Sequence, residues 1–364
     1  MTRRSAAAWR RLTAGVAAAC LASGGPTAAQ TPGTGRLAIE AVAAANNSST
    51  APDDPFVFLD LATTIRLTDG MDIIIRPYAR RLPGGDWDAL LYQAQIRYQP
   101  VASVRLDAGI ITSPLGLGTL ELRQDLNPVV GSPFYYFAPL PLFDSYSDRV
   151  QILSGGYPIG AILSVSGERW DARGGVIDGT PARYRKVFAA DAPSAAAQFV
   201  AGAGVSPFPG LRLGAGIARG RYRSSKDLDY YGAYPAEAPE NAGALVLNLE
   251  GEYAVRYTRI TGEWVRDRFE SEAGPAVARG LYLQAVQTIS PRIFVASRLT
   301  RATAPVQIAT GRTRWTRTAA EMTAGYRLTP ELTVKGGYEV SRRFGVTNWS
   351  HAAVGSIVWS KRWF

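Results

Sequence analysis

The sequence predicts an all-β fold, a transmembrane antiparallel β-barrel of about 16 strands with a long loop after strand 5, and three observations predict it. From residue 35 onward, apolar residues recur at alternate positions in segments of about ten residues, which is the period of a strand. Short and long connections take turns along the chain. Finally, no stretch after residue 35 approaches the roughly 18 apolar residues of a membrane helix.

The first segment stands apart from this pattern. Arg3, Arg4, Arg10 and Arg11 precede the apolar run "LTAGVAAACLA", and "PTAAQ" follows. That is the layout of a secretory signal peptide over residues 1–29, cleaved between Ala29 and Gln30, with the barrel occupying 30–364. Cys20 is the single cysteine, so the mature chain can rest on no disulfide and hold no cysteine-based catalytic or zinc site. The four signal-peptide arginines also account for part of the formal charge of +10. Only four of the 40 basic residues are lysines, and they are mixed with acids, so nothing here reads as a nucleic-acid surface.

Strand by strand, "VFLDLATTIRL" sets Val57, Leu59, Leu61, Ile65 and Leu67 on one face against Asp60, Thr64 and Arg66 on the other. "DIIIRPYAR" opposes Ile73, Ile75 and Ala79 to Arg76 and Arg80, and "LTVKGGYEV" opposes Leu332, Val334, Tyr338 and Val340 to Lys335 and Glu339. Alternation alone fits a half-solvated sheet as well as a barrel with an apolar outside. The connections discriminate: tight turns at 68–72, 99–103, 206–211, 288–293 and 327–332 alternate with longer polar stretches at 46–54, 81–86, 223–242 and 304–312. A transmembrane barrel sorts its connections in this way, and a β-sandwich has no reason to. Parity further requires that "RVQIL" (149–153) does not cross the membrane. The predicted spans are 36–45, 55–68, 71–80, 87–99, 103–112, 159–167, 171–178, 195–206, 210–222, 243–254, 257–270, 276–288, 292–303, 313–327, 331–343 and 349–364.

An open sheet edge in hydrocarbon leaves backbone N–H and C=O groups unpaired, so the last strand must meet the first. The chain ends "IVWSKRWF", which places Phe364 at the barrel rim among interfacial aromatics. In that ending, and in the layout from about residue 35 to 364, the sequence resembles Gram-negative outer-membrane porins. The resemblance implies that Phe364 is an assembly signal read by the barrel-assembly machinery, that the protein lies in outer-membrane lipid, and that it forms a homotrimer. The ending departs from the porin pattern in register: Arg362, Ser360 and Ser356 interrupt Val358 and Val354, while Trp363, Trp359 and Ile357 hold the other face, so a bulge near the end would be needed.

If the apolar faces meet lipid, the opposite faces carry twelve basic and nine acidic side chains. A solid core does not accommodate so many charges, so the lumen must admit water. Arg66, Arg76, Arg80, Arg97 and Arg105 are the expected pore-lining basic residues, forming one wall of a constriction, with Asp60 and Asp107 as pore-lining acids. For any one of them, an ion pair that braces the wall is the alternative role. The connection 113–158 is long and aromatic, and by the porin resemblance it folds into the barrel as a constriction loop, with Glu121, Asp125, Asp144 and Asp148 facing the arginines. An external lid or a subunit-packing surface is the alternative. In "GLRLGAGIARG", Gly214 and Gly216 leave room beside a bulky neighbour rather than cradle a phosphate.

The functional expectation is a porin that passes small hydrophilic solutes with a mild preference for anions. Alternatives are a phosphate- or oxyanion-selective porin, or a non-conducting barrel acting as adhesin or hydrolase. No metal or cofactor is expected. An enzyme is disfavoured because the single histidine, His351, adjoins Ser350 on a strand, and neighbouring strand residues point to opposite faces.

Overall fold

A computed structural model describes residues 37–81, 85–131, 156–178, 185–186, 197–221, 243–270, 275–308, 311–343 and 347–363. Its strands are β1 (Leu37–Ser48), β2 (Ala51–Thr68), β3 (Met71–Arg81), β4 (Trp87–Val101), β5 (Val104–Ile110), β6 (Ile159–Ser166), β7 (Trp170–Asp178), β8 (Arg185–Lys186) and β9 (Ala197–Val205). They continue as β10 (Leu211–Arg221), β11 (Gly243–Val255), β12 (Thr258–Phe269), β13 (Ala276–Thr288), β14 (Ile293–Ile308), β15 (Gly311–Arg327), β16 (Leu332–Arg343) and β17 (Ser350–Trp363). Sixteen of these form a closed antiparallel barrel, and the two-residue β8 lies beside it. Closure comes from β17 against β1, in unbroken register from Ser48 opposite Val354 to Ile39 opposite Trp363.

That continuity corrects the expected bulge. The last strand keeps one register, with Trp359 and Trp363 on its outer face, their rings 6.0 Å apart, and Ser356 and Val358 buried on the inner one. Phe364 and the signal segment 1–29 lie outside the described residues, as does 149–153.

Two connections expected as long loops are not. The β1–β2 turn is Ser49 and Thr50, and β14 pairs β15 out to Ile308 opposite Gly311. Alternation reports one dry face and one wet one. Where a hairpin rises clear of lipid both faces are wet, so the pairing continues while the sequence signal stops.

β8 was not expected either. Because β5 ends at Ile110, the upper part of β4 lacks a neighbour on that side, and β8 pairs with it at Leu90 and Leu91. An exposed row of backbone donors is thereby partly covered.

Side chains sort by face as the alternation requires. Leu59 and Leu61 are exposed on the outside of β2, while Asp60 between them is buried on the inside. His351 is exposed on the outer face, where its Nδ1 lies 3.0 Å from the Tyr338 hydroxyl. A bulge where Arg76 and Pro77 oppose Gln93 and Leu91 shifts the parity of β4. Both Tyr92 and Gln95 therefore turn inward.

Candidate functional site

The chain leaves the barrel wall after β5 and enters the lumen. The departure is made at Gly109, whose φ is +121° and where a Cβ would sit 2.3 Å from the Ala94 carbonyl oxygen. Only glycine fits both demands. A neck follows, in which Ile111 N–H donates to the Pro158 carbonyl at 2.9 Å and Ser113 N–H to Gly156 at 2.8 Å. Beyond it come a 3₁₀ turn at Gly118–Leu122 and a tight fold at Arg123–Gly131.

This loop crosses to the far side of the ring and is held there by wall side chains that grip its backbone. Leu117 and Gly118 donate N–H to Glu263 Oε2 of β12, at 2.9 and 3.2 Å. Val130 N–H donates to Glu321 Oε1 of β15 at 2.7 Å, and Gly131 N–H reaches the same carboxylate at 3.1 and 3.2 Å. Lys335 of β16 donates from Nζ to the carbonyls of Gln124, Asn127 and Val129 at 3.1, 2.7 and 3.2 Å. Arg298 of β14 donates to the Gly131 carbonyl, and Asn46 of β1 to Gln124 Oε1 and the Val130 carbonyl. The donors and acceptors of a segment without regular structure are thus matched to fixed charges, each such bond contributing about 1.5–3 kcal/mol.

A small residue on β10 makes the seat. A Cβ on Gly216 would lie 2.4 Å from Leu115 Cδ2, and one on Gly214 would lie 2.9 Å from Glu250 Oε1. Leu115 is fully buried at this contact. Gly216→Val is expected to unseat Leu115 at a cost of about 1–3 kcal/mol, read as a lower midpoint of heat-modified mobility. An unchanged midpoint would show that the loop does not rest on β10.

The five expected pore arginines are each placed against an acid. Arg76 and Asp60 form a buried pair, with Nε 2.8 and 3.0 Å from the two carboxylate oxygens. Arg76 also donates to the Tyr157 hydroxyl at 2.8 Å and lies over the Tyr92 and Tyr157 rings, while Tyr78, Tyr92 and Tyr157 stack in turn at 4.2 and 4.4 Å. Arg66 pairs with Asp72 at 3.2 Å and Arg80 with Asp88 at 3.4 Å. Arg97 and Arg105 share Asp107, each at 2.8 Å.

Among the loop acids, Asp125 is the one whose side chain is described, and it is placed differently from expectation. Asp125 pairs with Arg123 of its own loop at 2.6 Å, rather than with an arginine of β2–β5, and Arg123 also reaches Glu40 of β1 at 2.9 Å. Burial works against the Arg123 charge, but hydrogen bonds to Asp125 and Glu40 outweigh it and raise its pKa above the ordinary arginine value. Asp144, Asp148 and the Glu121 side chain lie outside the described residues.

Sequence reasoning missed Arg212 and Asp171. Arg212 joins Asp171 at 2.9 Å and Glu250 at 2.8 Å, and Arg173 meets Glu250 at 3.0 Å. The signal was available, since Arg212 shares its parity on β10 with the inward Gly214 and Gly216. Between the loop and this side of the wall lies a cavity of about 260 Å³, whose charged lining is Arg97, Arg105, Arg173, Asp107 and Glu250. Among the described residues there is no cluster that could hold a metal ion.

No family model and no curated protein matches the sequence. Solved structures do match. A loop L8 deletion mutant of OmpT, an outer membrane protein of Vibrio cholerae, aligns with TM-score 0.55 at 10% identity, covering 90% of this chain and 98% of that one. The anion-selective porin from Comamonas acidovorans aligns with TM-score 0.53 at 9% identity, over 90% and 98%. Salmonella typhi OmpF, in a complex with daunomycin, aligns with TM-score 0.55 at 11% identity, over 89% and 97%. With its closed ring of 16 strands and the long connection after the fifth, the chain has the porin-like barrel fold of these outer-membrane proteins.

Proposed function

We propose that the protein is a passive diffusion channel of the Gram-negative outer membrane, exported through a cleaved signal peptide, that admits small hydrophilic solutes and mildly prefers anions. The observation that carries this reading is the polar cavity beside the loop, where three arginines meet two carboxylates. The surplus cation raises the local concentration of anions and opposes cations. Arg105 is the lining arginine most open to water, with 45% of its side chain exposed, so it is the group best placed to meet a solute. The paired acids keep the field modest, which argues for preference rather than strict selection. A homotrimer, inserted with help from the barrel-assembly machinery, is part of the same proposal.

Single-channel recording of the refolded mature protein in a KCl gradient tests it. Steady openings with an anion-selective reversal potential are expected, and Arg105→Ala should move that potential toward zero. A folded barrel without conductance would sink the channel reading and leave an adhesin or a hydrolase.

A further inference from the structure

One stretch of the inner wall is aromatic, and neither the hold on the loop nor the ion pairs of the wall account for it. Phe56 and Phe58 of β2 share the inward parity of Asp60, and Phe56 lies opposite Asn46 of β1, the buried side chain that reaches into the lumen to hold the loop. Exposed large apolar residues of these strands, such as Leu59, Leu61 and Ile75, face outward. Phe56 is 40% exposed and faces the lumen. A phenyl ring left open to water on that side gains nothing from lipid and offers a surface for an apolar partner.

The two phenyl rings are aligned and backed. Their centroids are 6.2 Å apart and their planes lie within 6° of parallel, so a flat ring stacked on one runs parallel to the other. Phe58 in turn meets Tyr78 at 6.1 Å, which joins it to the run of Tyr78, Tyr92 and Tyr157. Those three tyrosines are buried, so the half-buried Phe58 is fixed from behind before anything binds.

A cation with spare donors stands beside the rings. Arg80 of β3 is directly opposite Phe58 on one side and Asp88 of β4 on the other. The hydrogen bond it makes to Asp88 is 3.4 Å long, the longest contact of the five pore arginines with their acids. Its Nε has no partner, and 23% of its side chain is exposed. A guanidinium carries five N–H donors, so most of this one's capacity is uncommitted among the described residues. Opposed residues on neighbouring strands hold their Cβ atoms about 5 Å apart, so one molecule the size of benzoate reaches both the ring and the arginine.

We infer that Phe56, Phe58 and Arg80 form a binding site, at the long-loop end of the lumen, for small solutes that carry an aromatic ring and a carboxylate. The ring stacks on the phenyl faces, and the carboxylate accepts from the spare N–H groups of Arg80. That such a molecule is a solute in transit rests on the channel reading; its binding does not, and is measured without current.

The test titrates the mature barrel in detergent micelles with benzoate, cyclohexanecarboxylate or benzamide, with dissociation constants read by ligand-observed NMR. Benzoate is expected to bind about three- to tenfold tighter than cyclohexanecarboxylate, which keeps the charge and lacks the flat ring, and tighter than benzamide, which keeps the ring and lacks the charge. Phe56→Leu combined with Phe58→Leu should remove the preference over cyclohexanecarboxylate. Arg80→Gln should weaken both carboxylates about threefold or more and leave benzamide unchanged. Equal binding of benzoate and cyclohexanecarboxylate by the unaltered protein overturns the inference without any variant, as does benzamide binding as tightly as benzoate. Weakening by Arg105→Gln with no effect of Arg80→Gln also overturns it, since the anion would then sit in the cavity beside the loop. Should the double leucine variant not fold, Phe56→Leu alone must reduce the preference, and an unchanged preference counts against the proposal.

Discussion

Replacing Glu263 and Glu321 together by alanine is expected to widen the passage, raising single-channel conductance about twofold or more while the strand content is kept. Each carboxylate accepts N–H groups from two consecutive loop residues, so the pair fixes the loop at two points on the far wall. Removing both seats withdraws about 3–6 kcal/mol and leaves four backbone donors to find water, which shifts the ratio of docked to free loop by roughly a hundredfold or more. The single Glu→Gln variants keep an acceptor oxygen at each seat and should change conductance little. Unaltered current through the double alanine variant would mean that the loop does not limit flow.

The largest stability effect is expected at Arg76. Arg76→Met leaves Asp60 charged and buried without its partner, at a cost of about 3–5 kcal/mol. The loss should appear as a clear fall in the temperature at which the folded, fast-migrating form disappears on a gel. Adding Asp60→Asn should recover much of it, because the stranded charge is gone. A residue whose main task is to touch solute would behave in the opposite way, altering selectivity while leaving the heat stability of the barrel in place.

Much of this architecture was legible in the chain, and the limits of legibility have physical causes. The inward parity of Asp60, Arg76, Glu263, Glu321 and Lys335 could be read because each alternates with apolar neighbours bound for lipid. Tyr92 could not, because the bulge in β4 breaks the alternation within the strand. The hold on the loop was also hidden. Side-chain chemistry suggested loop acids facing wall arginines, yet the wall supplies the charges and the loop supplies backbone N–H and C=O groups, which every sequence possesses alike. Arg123 takes up Asp125 locally, two residues away, before any wall arginine can compete. Gly216 was readable as a space-maker, but that the space is filled by Leu115 from a distant segment depends on tertiary placement alone.

The barrel is also uneven in height. β5 and β6 have 7 and 8 residues, whereas β14 and β15 have 16 and 17. At about 3.3 Å per residue and a tilt near 40°, β5 rises only about 18 Å, against an apolar band of about 25 Å in barrels of this kind. Hydrophobic mismatch is therefore concentrated on one arc. Around that arc a bilayer must thin and its acyl chains compress, or another copy of the chain must take their place, so the annulus of lipid around this protein has a low side and a high side.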